Sequence, residues 1–416
     1  MVKFGPRLTF GQEISDWQER INTERMRQYR AERGKQSMRK HGVPVLLEAV
    51  PANVRYLTAT KGYEYPMVRY ILFFAEGDPV VFEHDGWLHQ MPDQAPWIKH
   101  WRPARAWLTG APGLEACQDE AKQFAADIHG VLQARGLLGE KIGFGGFDGI
   151  AREALVAAGV KNLVDSRQIM LEARCIKNVD EINCLKMAAA IVEGVWYRIW
   201  ETIRPGIKDS RLGVVAVSTG YELGAEIAIP GGWRTGPVSF DRGFHQAARI
   251  LQTGDLVYGS LCGLAYMGYR TCTYRTFIVQ RQPNQREKDW YKKVLDRVTA
   301  IIEEIKPGKT TADAAKHFPP ASTWGYKEEC EVLASEIGHG IGMGGAGGNY
   351  DIPIINRQWS LKFPQPFEEG MAIAVECREG EHRVGGVRLE NMVIVTKDGA
   401  EIIDHFPRDE ILVAPR

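Results

Sequence analysis

A helix, a Pro-Gly stop and a helix restart occur twice in this chain about a hundred residues apart, as IRPGIKDSRLG from Ile203 and IKPGKTTADAA from Ile305. An internal repeat of this length constrains the fold more than any bulk property does. The first copy closes a segment, residues 173–206, that opens a long amphipathic helix behind the cap candidates Asn178 and Asp180. Upstream the pattern is different. Residues 15–41 are charged and helix-prone, and 43–50, 70–77 and 79–84 read as short strands with turn residues between them. Residues 141–147 form another strand-like run between helix-compatible stretches near 114–136 and 150–158. This alternation predicts a separate α/β layer domain ending near residue 170. A length of 416 residues with 44% hydrophobic composition agrees with two domains, 1–170 and 171–416.

Charge narrows the partners. Lys plus Arg equals Asp plus Glu at 52 each, which removes any general attraction to nucleic acid or to an anionic membrane and favours a small-molecule substrate. Seven cysteines with no CxxC pair and no disulfide spacing point to a reducing, cytoplasmic compartment. The first twenty residues hold no apolar core of a signal peptide, and no apolar run reaches spanning length, so neither secretion nor membrane insertion is expected.

The chemistry-bearing residues come in a fixed order. Gly254–Phe277 reads as a strand pair that carries Ser260 and Cys272. It is followed by His339 in EIGHGIGM, Glu376 in MAIAVE and Glu390 in GVRLENMVIV. Taken singly, His339 reads as a satisfied turn residue, Glu376 as a solvated carboxylate and Glu390 as the partner of Arg388, two residues back on the same face. A carboxylate in an apolar strand, however, needs a cation, a donor network or a proton. Cys262 and Cys272 read as small core hydrophobes, with Cys262 two residues from Ser260 and able to face the same cavity.

Together the ordered set and the repeat resemble the creatinase/aminopeptidase P family, the pita-bread enzymes. The resemblance implies an α+β pita-bread catalytic domain preceded by a smaller α/β N-terminal domain, and a homodimer. Its five metal-ligand positions correspond to Ser260, Cys272, His339, Glu376 and Glu390, and both losses are carboxylates. Bridging two dications about 3.5–4 Å apart takes anionic oxygens, so two-metal hydrolysis is not expected. The leading expectation is therefore metal-independent, creatinase-like cleavage of a C–N bond in a small carboxylate-bearing substrate, without a cofactor; ectoine-type hydrolases fit equally. In that scheme Glu376 and Glu390 hold a cationic group and His339 or His245 moves the proton. The resemblance places Arg69 at the substrate carboxylate and Arg234 at the pocket mouth, with Trp233, Tyr63 and Tyr65 as aromatic walls.

Three alternatives stand beside it. The twelve-residue step from Ser260 to Cys272, the RTGP loop and NYDIPII look like dimethylsulfoniopropionate lyases of the same family, with Asp351 nearest the place of the lyase base. The second is an Xaa-Pro-type metallopeptidase. Either would use a single zinc or iron ion held by Cys272, His339, Glu376 and Glu390. The third is a non-catalytic pita-bread binding module.

Overall fold

A computed structural model describes residues 2–4, 20–62, 68–107, 110–241, 248–332, 337–345 and 349–414. The chain divides into two compact units, Thr23–Arg174 and Met1–Asn22 together with Cys175–Arg416. The first residues thus group with the C-terminal unit, not the N-terminal one. The reason is β1 (Lys3–Phe4), which pairs in parallel with a C-terminal strand, Ala400–Ile402.

Thr23–Arg174 holds β2 (Val45–Glu48), β3 (Tyr70–Phe74), β4 (Val80–Glu83), β5 (His100–Pro103), β6 (Ile142–Gly145) and β7 (Leu163–Asp165). They form one six-stranded mixed sheet in the order β5-β4-β3-β2-β6-β7. The strands and helices expected among the described residues of this region occur, with helices at Thr23–His41, Leu114–Ala134 and Gly149–Ala157; residues 15–19 of the expected 15–41 stretch lie outside the described residues. Burial on both faces explains the unbroken apolar run of β3 and the apolar Val45–Leu47 of β2. Val45, Leu47, Tyr70, Leu72 and Phe82 meet Phe124 and Ile128 of the long helix in one core.

The larger unit carries β8 (Gly232–Thr235), β9 (Leu256–Ser260), β10 (Ala265–Tyr266), β11 (Tyr269–Arg270) and β12 (Tyr274–Val279). It continues with β13 (Gly338–Gly345), β14 (Asn349–Ile355), β15 (Ala372–Glu381), β16 (Gly385–Val395), β17 (Ala400–Ile402) and β18 (Leu412–Ala414). The main sheet runs β14-β13-β15-β16-β12-β9-β8, with β17 added to β16 and β18 to β12. This is the α+β pita-bread fold.

The sequence repeat is visible as structure. Helix Val179–Thr202 starts from an Asn178 capping box closed by Glu181, and helix Gln285–Glu304 from an Asn284 box closed by Glu287. Each is stopped by Ile-X-Pro-Gly, whose glycine, Gly206 or Gly308, sits at φ 87°, a conformation open to glycine because it lacks Cβ. The second helix buries Trp290, Tyr291, Val294, Val298 and Ile301 against Val375, Cys377, Val387, Leu389 and Val393 of the sheet. Strand alternation then turns the intervening residues of β15 and β16 to the opposite face.

Candidate active site

That opposite face collects the polar groups. Residues paired directly across a sheet point the same way, so a chain of register pairs defines one surface. Arg234 opposes Tyr258, Ser260 opposes Tyr274, Tyr274 opposes Glu390, Glu390 opposes Glu376, and His339 opposes Ala374, two residues before Glu376. His339, Glu376 and Glu390, far apart in sequence, are therefore brought together.

Glu390 is the hub. It is 0% exposed, lies 3.6 Å through Oε1 from His339 Nε2, and accepts through Oε2 from the Cys262 thiol at 3.5 Å. His339 Nδ1 is 3.1 Å from the Gly340 carbonyl, which only accepts, so Nδ1 carries the hydrogen. In the neutral ring Nε2 is then a lone pair turned toward a carboxylate oxygen. Tyr350 fixes the imidazole from its face, ring centroids 4.2 Å apart. Glu376, 2% exposed, has Arg388 Nη2 3.9 Å from Oε2. Arg388 lies 5.2 Å from the centroids of both Tyr258 and Tyr274 and donates to the Tyr258 hydroxyl at 3.4 Å.

Cys262 and Cys272 form the other wall. Leu261 N donates to Thr273 O at 2.9 Å and Gly263 N to Thr271 O at 2.7 Å, so the intervening pair, Cys262 and Cys272, is the non-hydrogen-bonded position where opposed side chains come closest. Both thiols and a Glu390 oxygen lie within 4.8 Å of one another. Burial pushes the Cys262 thiol up to about 11 and Cys272 well above its ordinary value, with Glu390 and Glu376 adding to both rises. Burial, reinforced by Glu376, also raises Tyr274 well above its usual range. In the free chain these groups stay protonated beside the carboxylates.

Other expected site residues have different surroundings. Trp233 is fully buried, edge-on to Trp196 at 5.9 Å, with its indole N–H donating to Pro230 O at 2.8 Å. It is a core residue and not a pocket wall, because strand alternation turns it away from Arg234. Arg234 is half-buried on the polar face, and its Nε has no hydrogen-bond partner among the described residues. Asp351, 0% exposed, is ion-paired with Lys177 at 3.2 Å, so it is held by a buried cation and is not a poised base. Arg69 is committed within the N-terminal unit, pairing with Glu83 and donating to the Thr60 hydroxyl at 3.2 Å. His245, Tyr63 and Tyr65 lie outside the described residues. Tyr258 and Tyr274 were missed. Their signal was the period-two step from Ser260 and Cys272, which gives them the same face.

The profile of metallopeptidase family M24 matches residues 183–397, just over half of the chain. The chain belongs to that family and is an enzyme of the creatinase/Xaa-Pro peptidase superfamily. The uncharacterized peptidase YqhT of Bacillus subtilis is 28% identical over 60% of this chain and 68% of the relative. The Xaa-Pro dipeptidase of Pyrococcus horikoshii is 27% identical over 63% of this chain and 72% of the relative. Among solved structures, the Xaa-Pro dipeptidase from Bacillus anthracis superposes with a TM-score of 0.74 at 22% identity, covering 93% of this chain and 99% of that one. The X-Pro aminopeptidase from Thermotoga maritima gives 0.72 at 18% identity, covering 92% and 99%. These two show the shared fold.

A two-metal centre of the type the family resemblance implies does not fit this donor set. Ser260 is neutral, and its hydroxyl is engaged with the Gly232 backbone, accepting from N at 3.1 Å and facing O at 3.5 Å. It braces β8 against β9 and offers no bridging carboxylate. Among the described residues, no helix is long and apolar enough to cross a membrane.

Proposed function

We propose that this M24 enzyme hydrolyses an amide-type C–N bond in a small substrate that carries a carboxylate, of the dipeptide class. The observation that carries the reading is the buried contact of His339 Nε2 with Glu390, beside the Glu376–Arg388 pair. The Nε2 lone pair takes a proton from the attacking water while the water oxygen bonds to the carbonyl carbon. Glu390, 3.6 Å away, steadies the imidazolium so formed. The same proton passes to the departing nitrogen as the C–N bond breaks, so one water is consumed and a carboxylic acid and an amine leave. Arg234, on the same face, suits the substrate carboxylate through its planar fork. A divalent cation, when bound, supplies Lewis-acid polarisation of the carbonyl. The relatives' printed names, dipeptidase and peptidase, support the bond type.

A metal-free version of the same cleavage, creatinase-like, is favoured by one observation, the engagement of Ser260 with the Gly232 backbone in place of a ligand role. A lyase reading finds less support, because Asp351 is paired with Lys177. The experiment is a panel of dipeptides, N-acyl amino acids and guanidino or amidino acids, read by mass change. Turnover with addition of one water, abolished in His339→Ala, is expected. Loss of a neutral fragment without water would replace hydrolysis by elimination, and no turnover across the panel would remove the proposal.

A further inference from the structure

The geometry points to a mononuclear soft-metal site in which Cys262, Cys272 and Glu390 hold one zinc or ferrous ion in place of the carboxylate-built pair. The proposal concerns the same cavity as the hydrolytic reading but stands on separate observations. Three donors of the right kind converge within 4.8 Å of one another: the two thiols and a Glu390 oxygen. The convergence is held by the backbone, because Cys262 and Cys272 lie opposite each other between the Leu261–Thr273 and Gly263–Thr271 hydrogen bonds of the segments joining β9 and β12. Neighbouring ligands of a four-coordinate ion with bonds of about 2.0–2.3 Å stand roughly 3.3–3.8 Å apart, and the Cys262–Glu390 separation of 3.5 Å lies in that range.

A second observation points independently to a cation. Glu390 is completely buried, yet its Oε1 accepts no hydrogen bond among the described residues. It lies 3.6 Å from the Nε2 of a histidine whose Nδ1 faces a carbonyl. Two acceptors turned toward each other in a dry site leave charge to be matched. Three protein donors leave a fourth position open, which is the arrangement of a catalytic and not a structural zinc site. Thiolates prefer zinc, iron and cobalt to magnesium or manganese. Both thiols lose their protons to solvent as the ion binds, so two thiolates and one carboxylate face two positive charges. Ser260 takes no part.

Cobalt titration of chelator-treated full-length protein tests this without reference to turnover. One equivalent of Co²⁺ should bind and give a thiolate-to-cobalt charge-transfer band in the near ultraviolet, and elemental analysis should find one equivalent of zinc bound competitively. Cys262→Ser and Cys272→Ser should each weaken binding by more than about 10-fold and diminish the band. Cys330→Ser, which alters an exposed cysteine outside the site, should change neither. Cys262→Asp guards against misfolding: with native circular dichroism it should keep the ion and lose part of the band. Two equivalents of cobalt without a thiolate band, or no binding by a folded wild-type protein, would overturn the site. Cobalt bound as expected with no turnover of any amide would instead remove the hydrolytic reading and leave the metal site standing.

Discussion

A strand pair of the main sheet and the two segments that continue β9 and lead into β12 present opposed titratable side chains to the same cavity, and they handle charge differently. On β15–β16 the pair is Glu376 and Glu390, two carboxylates directly across from each other, both at 2% exposure or less. They require cations or donors, and Arg388 and His339 stand beside them. On the segments between β9 and β12 the pair is Cys262 and Cys272, whose buried thiols remain neutral until something removes their protons. The carboxylate wall therefore carries Arg388 as a partner for Glu376, while Glu390 Oε1 accepts no hydrogen bond among the described residues; the thiol wall is neutral without a bound cation. The difference teaches that a thiol pair and a carboxylate pair place different demands on a buried wall: the neutral thiols need no permanent counter-charge.

The comparison is open to direct attack. Glu390→Ala should have the largest effect, reducing hydrolysis to background and abolishing metal binding together, because Glu390 contacts both walls; kinetics and elemental analysis on the folded variant check it. His339→Ala should lower kcat by about 10²–10⁴-fold with KM little changed. A change confined to KM would make His339 a binding group. Arg388→Met tests whether the carboxylate wall depends on its internal cation. Leaving Glu376 buried beside Glu390 should cost about 3–5 kcal/mol in urea unfolding, far more than the loss of an exposed arginine. Ser260→Ala should cost about 0.5–1.5 kcal/mol, the worth of its bond to Gly232, and leave metal content unchanged. A fall in metal content would restore Ser260 to the ligand set.

The smallest effect is expected outside the site. Glu48 in the N-terminal unit is raised above the ordinary carboxylate range by burial, with the Val50 N–H and the Ser166 hydroxyl opposing the rise. A raised folded-state value gives a contribution to stability that is complete below the unfolded value and is lost as pH rises through the folded one. Glu48→Gln has no such loss, so its stability relative to wild type should improve as pH rises from the unfolded carboxylate range, read by urea midpoints. A pH-independent difference would show that Glu48 is not the titrating group.

The legible part of this protein was local or ordered. Caps and stops are short-range, so Asn178, Glu181 and the two Ile-X-Pro-Gly segments could be read directly, and their repetition announced the fold. His339, Glu376 and Glu390 were legible because polar residues inside apolar strands stand out against their neighbours. The wall on which each residue lies was harder. Trp233 and Arg234 are adjacent in sequence and opposite in space, and only β8 pairing with β9 decided that the tryptophan enters the core. Asp351 was visible only as the aspartate nearest the place of a lyase base, and its Lys177 partner is 174 residues away.

Sequence alone determined the family and its pita-bread fold, because repeat, cap and strand pattern are encoded in neighbouring residues. Tertiary structure decided which acids were already neutralised, which aromatic side chains were core, and that Cys262 stands opposite Cys272 beside Glu390. Those facts depend on strand register, and register is set by long-range packing: a slip of one residue reverses every side chain on the strand.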